Sequence, residues 1–175
     1  MLKVYIAAPF QEQDRAREIR DFLAERGIGC TSRWLEEECS LPQGPGAEPT
    51  DEQKARFAAM DLYDVRRAQA VVLWNPEGFR SSGTGGRHVE AGAALGAGIP
   101  VFVVGVRSNI FHWLPEVRVV PIHAGSDHPK VISCDIVEGD ALVTWEDDLV
   151  DMIREVCQDF GSTWDEPGAK RGQRT

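Results

Sequence analysis

The chain has 175 residues, of which 19 are basic and 28 acidic, for a formal net charge of −9. That balance excludes a grip on nucleic-acid polymer, which needs clustered Lys and Arg, and no apolar run reaches the length of a membrane helix. The length suits one domain with its own core. The scattered Cys30, Cys39, Cys134 and Cys157, without a CxxC pair, read as reduced thiols of a cytoplasmic protein rather than a disulfide framework or a metal site.

Leu2 to Ala8 is an apolar, β-branched run broken by Pro9, which predicts a buried strand and a loop. From Gln11 to Arg26 the apolar positions Ala16, Ile19, Phe22, Leu23 and Ala24 recur at helical spacing, and Gly27 supplies the stop. Ile28 to Trp34 suits a second strand. Leu35 to Thr50 carries three successive glutamates and then Pro42, Gly44, Pro45, Gly46 and Pro49, a loop longer than a connector needs. Thr50 and Gln53 form a capping-box pattern for a helix running to about Arg67, with Phe57, Met60, Leu62 and Val65 expected inward. Ala70 to Trp74 is a third strand, followed by the polar loop NPEGFRSSGTGG and a small-residue helix from about Arg87 to Ala97. Ile99 to Val106 is a fourth strand, Phe111 to Leu114 a short helical turn, and Val117 to Ile122 a fifth strand. VISCDIVEGDALVT, residues 131–144 of the segment 123–144, fits a hairpin appended to this pattern. Trp145 to Phe160 reads as the closing helix of a domain spanning 1–162, and residues 163–175 as a polar tail. Strands alternating with helices, and apolar along their whole length, predict an α/β fold: a doubly wound, five-stranded parallel sheet covered on both faces.

In such a sheet ligands bind beyond the carboxyl ends of the strands. Four loops qualify: Ala7–Glu12, Arg33–Thr50, Asn75–Gly86 and Gly105–Leu114. The third is the richest, because SSGTGG lets backbone approach a ligand and the following helix N-terminus favours anions. Arg80 and Arg87 flank it. It matches neither a P-loop nor a GxGxxG fingerprint, and a plain tight turn is the competing reading. The candidate substrate contacts from these loops are Ala8, Pro9, Phe10, Trp34, Asn75, Ser82, Gly83, Thr84, Gly86, Arg87 and Asn109.

Three residues are candidates for chemistry. Glu90 falls in the first turn of the helix, where the N-terminal dipole is expected to keep it ionised, as a nucleophile at a sugar carbon must be. Dipole compensation alone is the plainer role. Asp61 interrupts a helix between Met60 and Leu62, where aspartate has poor propensity. Asp64, one turn on, reads as a solvated face. Tyr5 sits inside the first strand with a hydroxyl that needs a partner if buried. His88, His112, His123 and His128 show no HExxH or paired-ligand spacing, so no metal is assigned, and nothing in the pattern calls for a cofactor. Trp34, Trp74, Phe79, Phe111 and Trp113 fall near strand ends, with core closure expected for at least half of them.

KVYIAAPF, TSRWL, AAMDLYDVRRAQAVVLW, GTGGRHVEAGAALGAGIPVFVVG and NIFHWLP, in this order across residues 2–120, resemble the nucleoside 2-deoxyribosyltransferase-like superfamily, which includes the deoxynucleoside monophosphate N-glycosidases. The resemblance implies a flavodoxin-like sheet. It implies Glu90 as the nucleophile at the anomeric carbon, Asp61 as the residue that positions substrate and assists proton transfer to the leaving base, and Tyr5 as the orienter of the nucleophile. It further implies a small nucleoside or nucleotide as ligand and a homodimer or higher homo-oligomer. Two features depart from the pattern. Thr84 stands where the transferases often carry a loop aspartate, and AAPFQEQ replaces the serine- and arginine-containing loop of the monophosphate glycosidases. The alternative function, from another class, is a nucleotide or nucleotide-sugar sensor without catalysis. A third, a phosphoribohydrolase of the cytokinin-activating type, fits the glycine-rich loop and little else of the chain.

Overall fold

The structure, a computed structural model, describes residues 1–36, 49–76, 85–122 and 145–161. The expected loop at 37–48, the residues Phe79, Arg80, Ser82, Gly83 and Thr84, the hairpin within 123–144 and the tail 163–175 lie outside the described residues.

Strand β1 (Lys3–Ala7) is buried from Val4 onward. After Pro9 a 3-10 turn (Phe10–Glu12) leads into α1 (Gln13–Glu25), which turns Ala16, Ile19 and Leu23 inward. Gly27 then takes a φ of 77°, the left-handed stop that glycine adopts freely. The second strand is shorter than its pattern suggests: β2 spans only Gly29–Cys30. Beyond it the polar atoms of β1 are taken by side chains instead of a ladder. The Ser32 hydroxyl accepts from the Ile6 amide (2.6 Å) and donates to the Ile6 carbonyl (3.2 Å), and Arg33–Leu35 coils into a 3-10 turn.

Helix α2 (Asp51–Arg67) has the expected capping box between Thr50 and Gln53. Its inward face differs from the expectation: Val65 is fully buried, Phe57, Met60 and Leu62 only half so, and the second fully buried side chain is Asp64. Strand β3 (Ala70–Asn75) and strand β4 (Val101–Gly105) are buried throughout. Between them runs α3 (Gly86–Gly96). A 3-10 turn (Ile110–Trp113), strand β5 (Val117–Val120) and helix α4 (Trp145–Gly161) complete the described fold.

The five strands lie in the order β2-β1-β3-β4-β5, all parallel. Helices α1 and α4 pack together on one face, and α2 with α3 on the other. This is the doubly wound α/β arrangement that the apolar strands predict, in the flavodoxin-like form that the resemblance implies. The chain moves outward from β1 to β2 and then crosses back to β3, so the strand order reverses between β1 and β3. The crevice beyond the carboxyl ends of those two strands is where such a sheet offers a binding site.

Candidate active site

Three elements beside that crevice bring Tyr5, Asp61 and Glu90 together. Tyr5 lies in the middle of β1 and is fully buried. Asp61 projects from the middle of α2 and Glu90 from α3, the two helices that share one face of the sheet. Each of the three influences the others. Burial raises the Tyr5 phenol well above its ordinary range, and the charges of Glu90 and Asp61 add to the shift. Burial, then the Asp61 charge, push Glu90 up to about 8, while the Tyr5 hydroxyl directed at it opposes part of that rise. Asp61 is raised to about 6, first by burial, then by the charge of Asp64, with Arg33 pulling the other way. The Tyr5 hydroxyl and Asp61 Oδ1 are both buried without a partner of full hydrogen-bond geometry. Buried polar atoms left in this state are rare, and each asks for a ligand or a reaction.

Two expectations are corrected here. Helix α3 begins at Gly86 with Gly85 at its N-cap (φ 79°), so Glu90 sits in the second turn, beyond the reach of the terminal dipole. Desolvation and Asp61 then dominate, and the carboxyl is held largely protonated at neutral pH in place of the ionised state the sequence suggests. Asp64 is not on a solvated face. It is 1% exposed and receives Arg33 through a two-pronged guanidinium contact (Nε to Oδ2 2.9 Å, Nη2 to Oδ1 2.9 Å) and through the Arg33 main-chain amide (3.2 Å). The signal that could have revealed it is the Asp61-Asp64 spacing, which places both carboxylates on one side of α2.

The remaining candidates divide between the loop after β1 and the scaffold around β3. Phe10 and Trp34 pack against each other beyond β1, with ring centroids 6.4 Å apart. The Trp34 indole N–H donates to the Ile6 carbonyl (2.8 Å), which fixes its plane. Ala8 is half-buried and Pro9 buried in the same loop, and Gly86 is exposed at the start of α3. Asn75, at the end of β3, is 3% exposed and spends its side chain inside the protein. Its amide donates to the Val106 carbonyl (2.5 Å) and Ser108 Oγ (2.8 Å), and its oxygen accepts from Arg87 (3.3 Å). A side chain occupied in this way sets the loop after β4 rather than reaching for substrate. Gly105 assists, since a Cβ there would collide with the Asn75 carbonyl. Asn109 serves as a cap, accepting from the Phe111 amide (3.0 Å).

Arg87 is buried against its own charge, with Nε unpartnered. His88 and His112 face each other at 5.9 Å, and burial together with Arg87 lowers both below the ordinary histidine range. Of the aromatics expected to close the core, Trp34 and Trp74 do so, whereas Phe111 and Trp113 are exposed. Among the described residues no group of three His, Cys, Asp or Glu could hold a metal ion, and no helix is long and apolar enough to cross a membrane.

No protein-family model and no curated protein matches the chain. Solved structures do. The chain is similar to a 2-deoxyribosyltransferase from the psychrotolerant bacterium Bacillus psychrosaccharolyticus, with a TM-score of 0.44 and 21% identity over 62% of this chain and 75% of that one. It is also similar to the CMP N-glycosidase of Clostridium botulinum, with a TM-score of 0.43 and 17% identity over 68% of this chain and 87% of that one.

Proposed function

We propose that the protein cleaves or transfers at the N-glycosidic bond of a nucleoside or nucleotide through a covalent glycosyl ester on Glu90. The observation that carries the reading is the convergence of Tyr5, Asp61 and Glu90 from three elements at the point where the strand order reverses. Between about pH 6 and 8 the two carboxyls hold one proton and one negative charge between them. That combination supplies an acid and a nucleophile at once. A sugar whose anomeric carbon gains positive charge draws the negative charge onto Glu90 and leaves the proton on Asp61. A Glu90 oxygen then bonds to the anomeric carbon. The glycosidic bond breaks with its electron pair going to the base nitrogen, and Asp61 protonates the base as it leaves. Water or a second base next attacks the same carbon, the ester bond breaks and Glu90 regains its charge, while Asp61 takes the proton of the attacking group. Tyr5 donates toward the Glu90 carboxyl and orients it.

The test is incubation with a deoxynucleoside, with and without an acceptor base. Free base alone means hydrolysis, a new nucleoside means transfer, and both should vanish in Glu90→Gln. No turnover of any nucleoside or nucleotide by the intact protein would overturn the enzymatic reading. Ligand-induced melting shifts that persist in Glu90→Ala, with no chemistry in either form, would support a sensor instead.

We further propose that the chain works as a homo-oligomer in the cytoplasm. Ile110, Phe111 and Trp113 on one 3-10 turn, Leu114 just after it and Val89 on α3 are exposed apolar side chains, of the kind a subunit contact covers. Light scattering of the purified protein tests this, and a monomer at working concentration would contradict it.

A further inference from the structure

Asp64 is the most deeply buried of the described charged side chains, and the site reactions above do not use it. Its carboxylate is bound by one residue, Arg33, at both the side chain and the main-chain amide. That amide opens the 3-10 turn Arg33–Leu35, so a carboxylate from α2 caps a turn on another segment. The next residue of the turn is Trp34, whose indole bonds Ile6 and whose carbonyl accepts from the Gln13 side chain (2.8 Å). Thr31 adds a second tie, its hydroxyl donating to the Asp64 carbonyl (3.0 Å). On α2 itself, Asp64 stands three residues after Asp61, on the same side of the helix. Arg33 also lies 5.6 Å over the Tyr63 ring, which holds its outer face.

We propose that Asp64 and Arg33 are positioning residues for Asp61: their ion pair clamps the turn bearing Trp34 to the helix bearing Asp61 and fixes the charge that the Asp61 carboxyl faces. This rests on the function proposed above for its catalytic consequence, but the clamp itself does not. The groups that act on the Asp61 carboxyl are Asp64 from its own helix, Arg33 from the turn after β2, Tyr5 from β1 and Glu90 from α3. Asp64 is the one among them that raises Asp61 without itself taking part in the reaction. Its two-pronged contact with Arg33 holds the carboxylate in place one helical turn from Asp61. A buried pair is weak evidence for stability alone, because apolar residues of the same volume often serve as well. The clamp explains why a charge is kept there.

Three measurements test it on the intact protein, using Asp64→Asn and Arg33→Met. Carboxyl NMR titration should show the Asp61 midpoint falling in Asp64→Asn from about 6 toward the ordinary aspartate range. Hydrogen exchange of the Trp34 indole N–H should quicken about tenfold in both variants, the effect of losing a charge-assisted contact, while the Trp74 indole serves as an internal control. Nucleoside turnover by Asp64→Asn at neutral pH should fall about tenfold in kcat with KM little changed, and its pH profile should move acid-ward with Asp61. Arg33→Met strands the buried Asp64 carboxylate, so if either single variant does not fold, the double variant Asp64→Asn/Arg33→Met, which removes both charges, decides through the same indole exchange. An unmoved Asp61 midpoint in folded Asp64→Asn, or unchanged Trp34 exchange in Arg33→Met, overturns the proposal. Absent turnover in the wild type defeats the function proposed above and leaves the first two measurements standing.

Discussion

Arg15 and Glu90 lie on opposite faces of one sheet and in opposite electrostatic conditions. Arg15, on α1, pairs with Glu18 (2.6 Å) and Glu146 (3.1 Å) at the rim, and its guanidinium sits 5.3 Å from both the Trp74 and Trp145 rings. Arg26 and Asp147 pair nearby at 2.9 Å. On that face charge stays near water, where each pair is worth little and costs little. Among the described residues its orphaned polar atoms are the two indole N–H groups of Trp74 and Trp145, which are neutral. On the α2/α3 face Asp61, Asp64, Arg87 and Glu90 are drawn inward, and two of the carboxyls are left with raised pKa values. Charges that reduce stability persist in a fold where they perform work, so the imbalance itself marks the site.

Four predictions on three variants break or sharpen this contrast. The largest effect belongs to Glu90→Gln, which removes the nucleophile. Base release should fall at least about a thousandfold with the fold intact by circular dichroism. Asp61→Asn comes next, with kcat reduced by about a hundredfold, and more for bases that are poor leaving groups, measured by release rates across a series of bases.

The third prediction concerns stability. Glu90 titrates at 4.5 ordinarily and at about 8 in the fold, so the native state binds more protons than the unfolded chain between those values, and its stability falls as pH rises through that window. Glu90→Gln abolishes this dependence. It should melt close to the wild type at pH 4 and above it at pH 8.5, by an amount on the order of a few kcal/mol at most. An equal melting difference at both pH values would refute the burial argument. Smallest is Arg15→Met on the other face. Loss of its rim pairs and ring contacts should lower stability by about 1 kcal/mol and leave turnover unchanged. A large rate effect there would dissolve the distinction between the faces.

The sequence makes most of the sheet legible, for a physical reason. Fully buried parallel strands such as AVVLW and VFVV leave few alternatives, and Gly27 and Thr50 punctuate the helices by local chemistry. The second strand is shorter than its pattern because Ser32 and Trp34 suit a strand by type, while their side chains instead bond β1 and the ladder ends at Cys30. Tyr5, Asp61 and Glu90 were readable as candidates through their types and settings. Their protonation was not, because it depends on burial and on two helices meeting. The burial of Asp64 is hidden from the sequence for the same reason: helical spacing shows that it shares a side with Asp61, but only the packing of the turn after β2 reveals Arg33 opposite it. Asn75 and Asn109 looked like ligand contacts because of their position in loops, yet both are engaged in holding those loops.

The most direct test of the central claim is to trap the intermediate. A nucleoside carrying fluorine at the sugar 2-position forms and loses an oxocarbenium-like transition state slowly, so its glycosyl ester should accumulate. Intact mass spectrometry should then show a gain of one glycosyl unit with release of one equivalent of base, and peptide mapping should place it on Glu90. Turnover of unmodified nucleoside without any such adduct, or an adduct on another residue, would contradict the account.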